Sequence, residues 1–211
     1  MPSRNVLRED VEDSYYHIYA KGSLGRAILK SDDDKMAFLG FVERYLDIKI
    51  SKKQNGTKYP NYYGKINLIA YCIMDKDFHL LLWQQDAGMI SEFMKSLLVS
   101  YTAYHNKKYC VKGQLLESRF KARRIDSQSD LLNLTRYIHL RPNDFRDYLW
   151  SSLGFYVAGL KEDWVNPDKV SKMFNLTAEK YWDSLKDFDT KNDPLTELKN
   201  SFADAGEDSV A

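Results

Sequence analysis

Apolar residues recur along this chain with two different periods. Ser14–Ala20 (SYYHIYA) is short, aromatic and apolar and runs into Lys21-Gly22, which predicts a strand. Met36, Phe38, Leu39, Val42, Tyr45 and Leu46 then follow at helical spacing. Asp32–Asp34 precede them, placing negative charge at the positive end of the helix dipole. Lys52–Gly64 is a polar, turn-rich loop. Lys65–Met74 (KINLIAYCIM) is an almost unbroken apolar run and predicts a central strand. Asp75-Lys76 reads as a tight reversal, and Asp77–Trp83 (DFHLLLW) as the returning strand. Met89–Tyr109 predicts a long helix with Met89, Phe93, Leu97, Tyr101 and Tyr104 on its core-facing stripe. Arg119–Ile125 reads as a further strand. Ser127–Leu140 reads as a helix opened by a Ser127-x-x-Asp130 capping box and stopped before Pro142.

The order strand, helix, strand, strand, helix, strand, helix is an α+β pattern. It predicts a ferredoxin-like antiparallel sheet with helices packed on one face. Trp150–Gly159 closes this first domain, expected over residues 1–160. Residues 166–174 and 177–188 predict short helices, so a small helical extension is expected over 161–188. Residues 189–211 are acidic and nearly free of large apolar groups, and a disordered tail is expected there.

Composition narrows the class. At 211 residues the chain is long enough for one well-packed domain and an appendage. No apolar run approaches the ~20 residues needed to span a bilayer, so no membrane partner is expected. The first residues lack the apolar core of a secretory signal, which points to a soluble, cytoplasmic protein. Cys72 and Cys110 belong to no metal-type spacing and are expected to be reduced, largely buried thiols.

The net charge of +1 is unevenly spread. Residues 161–211 carry 12 acidic and 7 basic side chains, and residues 1–160 carry 18 acidic and 24 basic. Within the basic part, 105–124 holds Lys107, Lys108, Lys112, Arg119, Lys121, Arg123 and Arg124 against Glu117 alone. Such a segment, interleaved with Tyr109 and Phe120, suits contact with a phosphate backbone, although a solvated basic face has the same composition.

Candidate chemistry is concentrated in a few positions. The four histidines are His17, His79, His105 and His139. Asp77 lies two residues before His79, and alternate residues of a strand share a face, with Phe78 between them turned into the core. A carboxylate and an imidazole side by side could hold Mg²⁺ or Mn²⁺ if a third ligand came from elsewhere. The alternative is an Asp–His hydrogen bond at the start of a hairpin. Tyr137 sits beside the apolar stripe Leu131, Leu134 and Ile138, flanked by Asn133 and Arg141, where its hydroxyl is expected to reach the border of core and solvent. His139 lies about 200° around the same helix from Tyr137, which opposes convergence of the two.

Several blocks in order, YYHIYAKG (15–22), AYCIMDKDFHLLLWQ (70–84), SYTAYHNKKY (100–109), GQLLESRFKARRID (113–126), LLNLTRYIHLRP (131–142) and WSSLGFY (150–156), resemble the single-tyrosine HUH transposases. The resemblance is to the branch associated with repeated palindromic elements, and it covers about residues 8–158. It implies metal-assisted cleavage and rejoining of single-stranded or hairpin DNA by a tyrosine nucleophile, through a 5′-phosphotyrosine link. The wider family also works as homodimers. Residue by residue, His79 matches the second histidine of the strand motif M-P-N-H-u-H, Phe78 its apolar residue and Tyr137 the nucleophile. Asp77 replaces the first histidine, Asp75-Lys76 replace Pro-Asn, and Arg141 replaces the asparagine that can complete the metal shell. The implied metal ligands are thus Asp77 and His79. The expected DNA-binding residues are Lys107, Lys108, Lys112, Arg119, Lys121, Arg123 and Arg124 of the basic segment, with Arg141 placing a cation near the metal or phosphate. Because arginine has no lone pair to donate, these departures leave a second reading, a DNA-hairpin-binding protein that has lost cleavage. A third reading, RNA binding by the sheet, lacks the aromatic-stacking motif of the common RNA module.

Overall fold

A computed structural model of the protein describes residues 10–117 and 119–190. The expected acidic tail lies outside the described residues from 191 onward. Four strands, β1 (Ser14–Lys21), β2 (Ile66–Ile73), β3 (Asp77–Gln84) and β4 (Lys121–Ile125), form one antiparallel sheet in the order β2-β3-β1-β4. Helices α1 (Asp32–Leu46) and α2 (Met89–Tyr109) make the two crossovers, which is the ferredoxin-like arrangement. Helix α3 (Gln128–His139) follows β4, and three short helices, α4 (Leu153–Val157), α5 (Asp168–Met173) and α6 (Ala178–Thr190), complete the described chain. Among the described residues no helix is long and apolar enough to cross a membrane.

Strand alternation divides the core into two layers. Tyr16, Ile18, Phe78, Leu80 and Leu82 face Phe38 and Val42 of α1 and Phe93, Leu97 and Tyr101 of α2. On the other face Leu81, Cys72 and Ala70 meet Leu131, Leu134, Tyr137 and Ile138 of α3. Covering of one face, as expected from the element order, therefore holds for the crossover helices, and α3 adds a layer on the opposite side. Its start is capped by Ser127, whose Oγ accepts from the Asp130 amide at 3.0 Å, which is one of the two hydrogen bonds of the expected capping box.

Strand β2 is an edge strand, not the central one its composition predicts. Its outer side is nevertheless occupied. The Ile73 and Ser152 amides bond with Trp150 and Tyr71 carbonyls, and the Asn166 amide donates to the Leu68 carbonyl at 2.7 Å. The chain around 150–152 and 165–166 thus pairs the edge, which lets an apolar strand lie there without an open hydrogen-bonding row. A bulge between Leu68 and Ala70 shifts the alternation of β2. Ile66 and Leu68 face one layer, and Cys72, past the bulge, faces the other.

The C-terminal helices share the second layer, where Val170, Tyr181 and Leu185 pack with α3. His139 joins them to the sheet. Its Nδ1 lies 2.6 Å from Tyr181 Oη and its Nε2 lies 2.7 Å from Ser152 Oγ, while Ser152 Oγ also accepts from the Tyr71 amide at 2.8 Å. One ring donor and one ring acceptor satisfy a neutral imidazole, and burial holds His139 at about 3. Cys110, expected to be buried, is exposed in a left-handed conformation at the end of α2, whereas Cys72 is buried.

Burial also depresses His17 and His79, so in the folded state three histidines stay neutral below the 6.5 of an unfolded imidazole. The unfolded chain then binds more protons, and stability falls with falling pH. Urea unfolding should give a nearly constant free energy between pH 7 and pH 8, below the range in which an unfolded Cys72 ionises. Below pH 6.5 it should decline by as much as about 1.4 kcal/mol per pH unit for each histidine still neutral. A flat profile from pH 7.5 to pH 5 would show that these rings are not buried neutral.

Candidate functional site

Beneath α3, the sheet face at the β2–β3 hairpin gathers ionisable and aromatic groups. Asp77 and His79 come from alternate positions of β3, and Tyr19 and Lys21 of β1 stand directly across from His79 and Asp77. His17 lies one alternation further along β1, and Lys121 and Arg123 of β4 pair with Tyr19 and His17. Tyr137 and Arg141 enter from α3 and the turn after it.

The rings form a packed group. His17 stacks on Tyr19 at 4.9 Å and on His79 at 5.1 Å, and Tyr137 meets His79 edge-on at 5.9 Å. His17 Nε2 and His79 Nδ1 are 2.8 Å apart and share one proton-bearing contact. Arg141 Nη2 donates to both oxygens of Asp77, at 3.1 and 3.3 Å, and its guanidinium carbon lies 5.8 Å from the centre of the Tyr137 ring. His79 Nε2 is 3.5 Å from Asp77 Oδ1, too long for a good hydrogen bond but close enough for the carboxylate to favour a proton there. With Nε2 protonated, His79 Nδ1 accepts from His17 Nε2.

Charge follows from this geometry. Burial pushes the Asp77 carboxyl up, but His79 and Arg141 outweigh it and hold it at about 2. His79 is lowered, chiefly by burial and further by the Arg141 and Lys21 cations, against the pull of Asp77. His17 is lowered by burial and by His79, Arg123 and Arg141. Burial raises Tyr137 and Cys72, the latter to about 12, so both remain protonated at neutral pH. The resting site is one carboxylate, one guanidinium and two neutral imidazoles, bordered by Lys21, Lys121 and Arg123.

This set does not fit a divalent cation. Both Asp77 oxygens are engaged by Arg141 and His79 Nδ1 by His17, while His79 Nε2 is buried without a hydrogen-bond partner among the described residues and faces the carboxylate already held by the guanidinium. The guanidinium places a positive charge against the carboxylate that would have to receive the metal. Among the described residues no group of three or more His, Cys, Asp or Glu side chains is arranged to hold a metal ion. Asp77 and His79 are thus brought together as the strand spacing requires, but the remaining partner is a cation. Tyr137 differs from its expected place at the border with solvent. It is only 4% exposed, because its ring is turned onto the sheet against His17 and His79, with Arg141 beside it.

The basic segment is divided by the fold. Lys121 and Arg123 share the face of the site, through the register of β4 with β1. Arg124, on the alternate side, bonds Asp126 at 2.6 Å. Lys108 bonds the buried Asp34 at 2.7 Å, completing a network with Tyr109 and the start of α1. Lys107, Lys112 and Arg119 are exposed. Sequence reasoning missed His17 and Lys21. The available signal was a histidine midway along an apolar strand, with Tyr15 and Tyr19 at alternate positions on the same face.

No family model and no curated protein matches the chain's sequence. Among solved structures, the REP-associated tyrosine transposase bound to a REP hairpin is similar over 77% of this chain and 91% of that one, with a TM-score of 0.53 and 14% identity. The chain shares the fold of that protein. A Deinococcus radiodurans R1 protein assigned as a transposase aligns with a TM-score of 0.39 and 17% identity over 64% of this chain and 95% of that one. The tRNA(His) guanylyltransferase of Saccharomyces cerevisiae aligns with 0.36 and 12%, over 85% and 78%. On the transposase fold, the deep end of this sheet face carries an ion pair instead of an open ligand set.

The ion pair makes a direct prediction. Wild-type protein should bind Mn²⁺ no better than buffer by electron paramagnetic resonance and gain no melting temperature from it. Arg141→Asn removes the guanidinium and adds a carbonyl oxygen beside Asp77. It should lower stability by about 3 kcal/mol, since a buried carboxylate loses its partner, and Mn²⁺ should restore part of that loss. Tight Mn²⁺ binding by the wild type would overturn this account of the site.

Proposed function

We propose that this protein binds single-stranded or hairpin DNA on a transposase scaffold, without metal-assisted cleavage. The observation that carries the reading is the Arg141 guanidinium seated on Asp77, at the place where the family resemblance implies a metal shell completed by asparagine. Three further features support the DNA partner. A structurally similar protein was solved bound to a REP hairpin. The first 160 residues hold the excess of basic side chains. Lys21, Lys121 and Arg123 border the ring cluster on one sheet face, with Arg141 entering beside it, an arrangement suited to phosphates.

One observation favours a second reading, cleavage and rejoining through Tyr137. Its ring lies edge-on to His79 and beside Arg141, where a phosphate held by the guanidinium would be within reach of the hydroxyl. Against this stands the burial of Tyr137, which raises its pKa despite the opposing effect of Arg141. A phenol near or above its ordinary 10 is a poor nucleophile at neutral pH without electrophilic help.

Binding of a labelled DNA hairpin should be equally tight in EDTA and in Mn²⁺ and should weaken steeply as salt rises. Lys121→Glu with Arg123→Glu should reduce affinity by roughly tenfold or more, from two lost phosphate contacts and added repulsion. Affinity that ignores salt and this double change would remove the DNA reading. The chemistry is tested separately, by incubating hairpin DNA with the protein and Mn²⁺ and resolving the products under denaturing conditions. No adduct is expected. A covalent adduct present in wild type and absent from Tyr137→Phe would establish the second reading instead.

A further inference from the structure

The turn after β1 carries an unusual combination of strain, rigidity and exposure. Ser23–Gly25 form a single 3-10 turn in which Leu24 adopts φ 54° and ψ 34°, the left-handed region that leucine rarely enters. Its side chain is 84% exposed. Leu149 is as exposed, yet its backbone φ is negative, so exposure and strain coincide at Leu24. A glycine or asparagine would occupy this backbone at lower cost, and the turn gains no core contact from leucine.

The turn is also held firmly. The Gly22 amide donates to the Lys76 carbonyl at 2.9 Å, and the Ser23 amide donates to the Leu115 carbonyl at 3.2 Å. The Gly25 and Arg26 amides close back on Gly22 and Ser23 at 3.1 Å each, and Ile28 and Leu29 both donate to Asp75. Gly22 is required here, because a Cβ would collide with the Arg26 carbonyl oxygen. The hairpin turn of β2–β3 on one side and residues 115–117 on the other therefore pin the base of the turn. The exposed Lys21, Arg26 and Lys76 surround it, and Lys21 stands directly across from Asp77 at the site.

We infer that Leu24 is a wedge that inserts between bases of the bound DNA, beside the phosphates held along the sheet margin. The inference rests on the DNA reading above. A rigid apolar tip ringed by cations has the chemistry of side chains that unstack a base step while the neighbouring charges hold the backbone. Strain that leaves the folded chain without a packing gain is expected where the presented side chain has a binding task.

The test uses hairpin DNA carrying 2-aminopurine, which brightens when unstacked, at successive positions through the base of the stem and its single-stranded flank. Wild-type protein should brighten one position. Leu24→Asn keeps a residue suited to the left-handed backbone, so its melting temperature should equal or exceed that of wild type. It should lose the fluorescence change and bind roughly tenfold more weakly. Leu24→Met, which keeps an apolar tip, should retain the signal. Unchanged affinity and fluorescence in Leu24→Asn would overturn the wedge while leaving DNA binding intact. A wild type that fails to bind any hairpin would overturn the functional reading and the wedge with it.

Discussion

Strand β3 is buried on both faces and paired on both sides, and most of the structure depends on that constraint. Its alternation sends Phe78, Leu80 and Leu82 beneath α1 and α2 and sends Asp77, His79 and Leu81 beneath α3. A slip of one residue would bury the carboxylate and imidazole among the aromatic rings of the first layer and turn Phe78 onto the polar site, so both apolar layers enforce one register. The two flanking strands then bring His17, Tyr19, Lys21 and Cys72 to fixed places around the site.

On that frame the electrostatics settle around a single contact. A carboxylate removed from water needs a counter-charge, and here it comes from Arg141 within the chain. The guanidinium keeps Asp77 ionised, helps to keep His79 and His17 neutral and lies beside Tyr137. Arginine at this place offers no lone pair but supplies the cation that the carboxylate needs. Lys21, Lys121 and Arg123 lie on the same face of the sheet, around this pair.

The C-terminal helices take part in the same arrangement. Tyr181 and Leu185 complete the layer over α3, and the His139 hydrogen bonds tie that layer through Ser152 to the backbone of β2. Tyr137, on the other side of α3, is buried against His17 and His79 of the sheet. The edge strand can be apolar because residues 150–152 and 165–166 pair its outer side.

Much of the fold was legible because local periodicity and turn chemistry act over few residues. The strands, the long helices, the Ser127 cap, the two-residue hairpin turn and the side-by-side placement of Asp77 and His79 all follow from spacing along the chain. Other features depend on which segments meet. The run from Lys65 to Met74 is almost unbroken in its apolar character, so neither its bulge nor its edge position leaves a local mark. His17 and His79 are 62 residues apart, and only the register of β1 with β3 makes them hydrogen-bonded. Lys108 and Arg123 look alike in a basic segment, yet one is drawn to the buried Asp34 and the other lies on the site face. The sequence by itself determined the elements and the chemical types available at the site. The tertiary structure decided that Arg141 meets Asp77, because a charge buried by packing must find its partner in space and not along the chain.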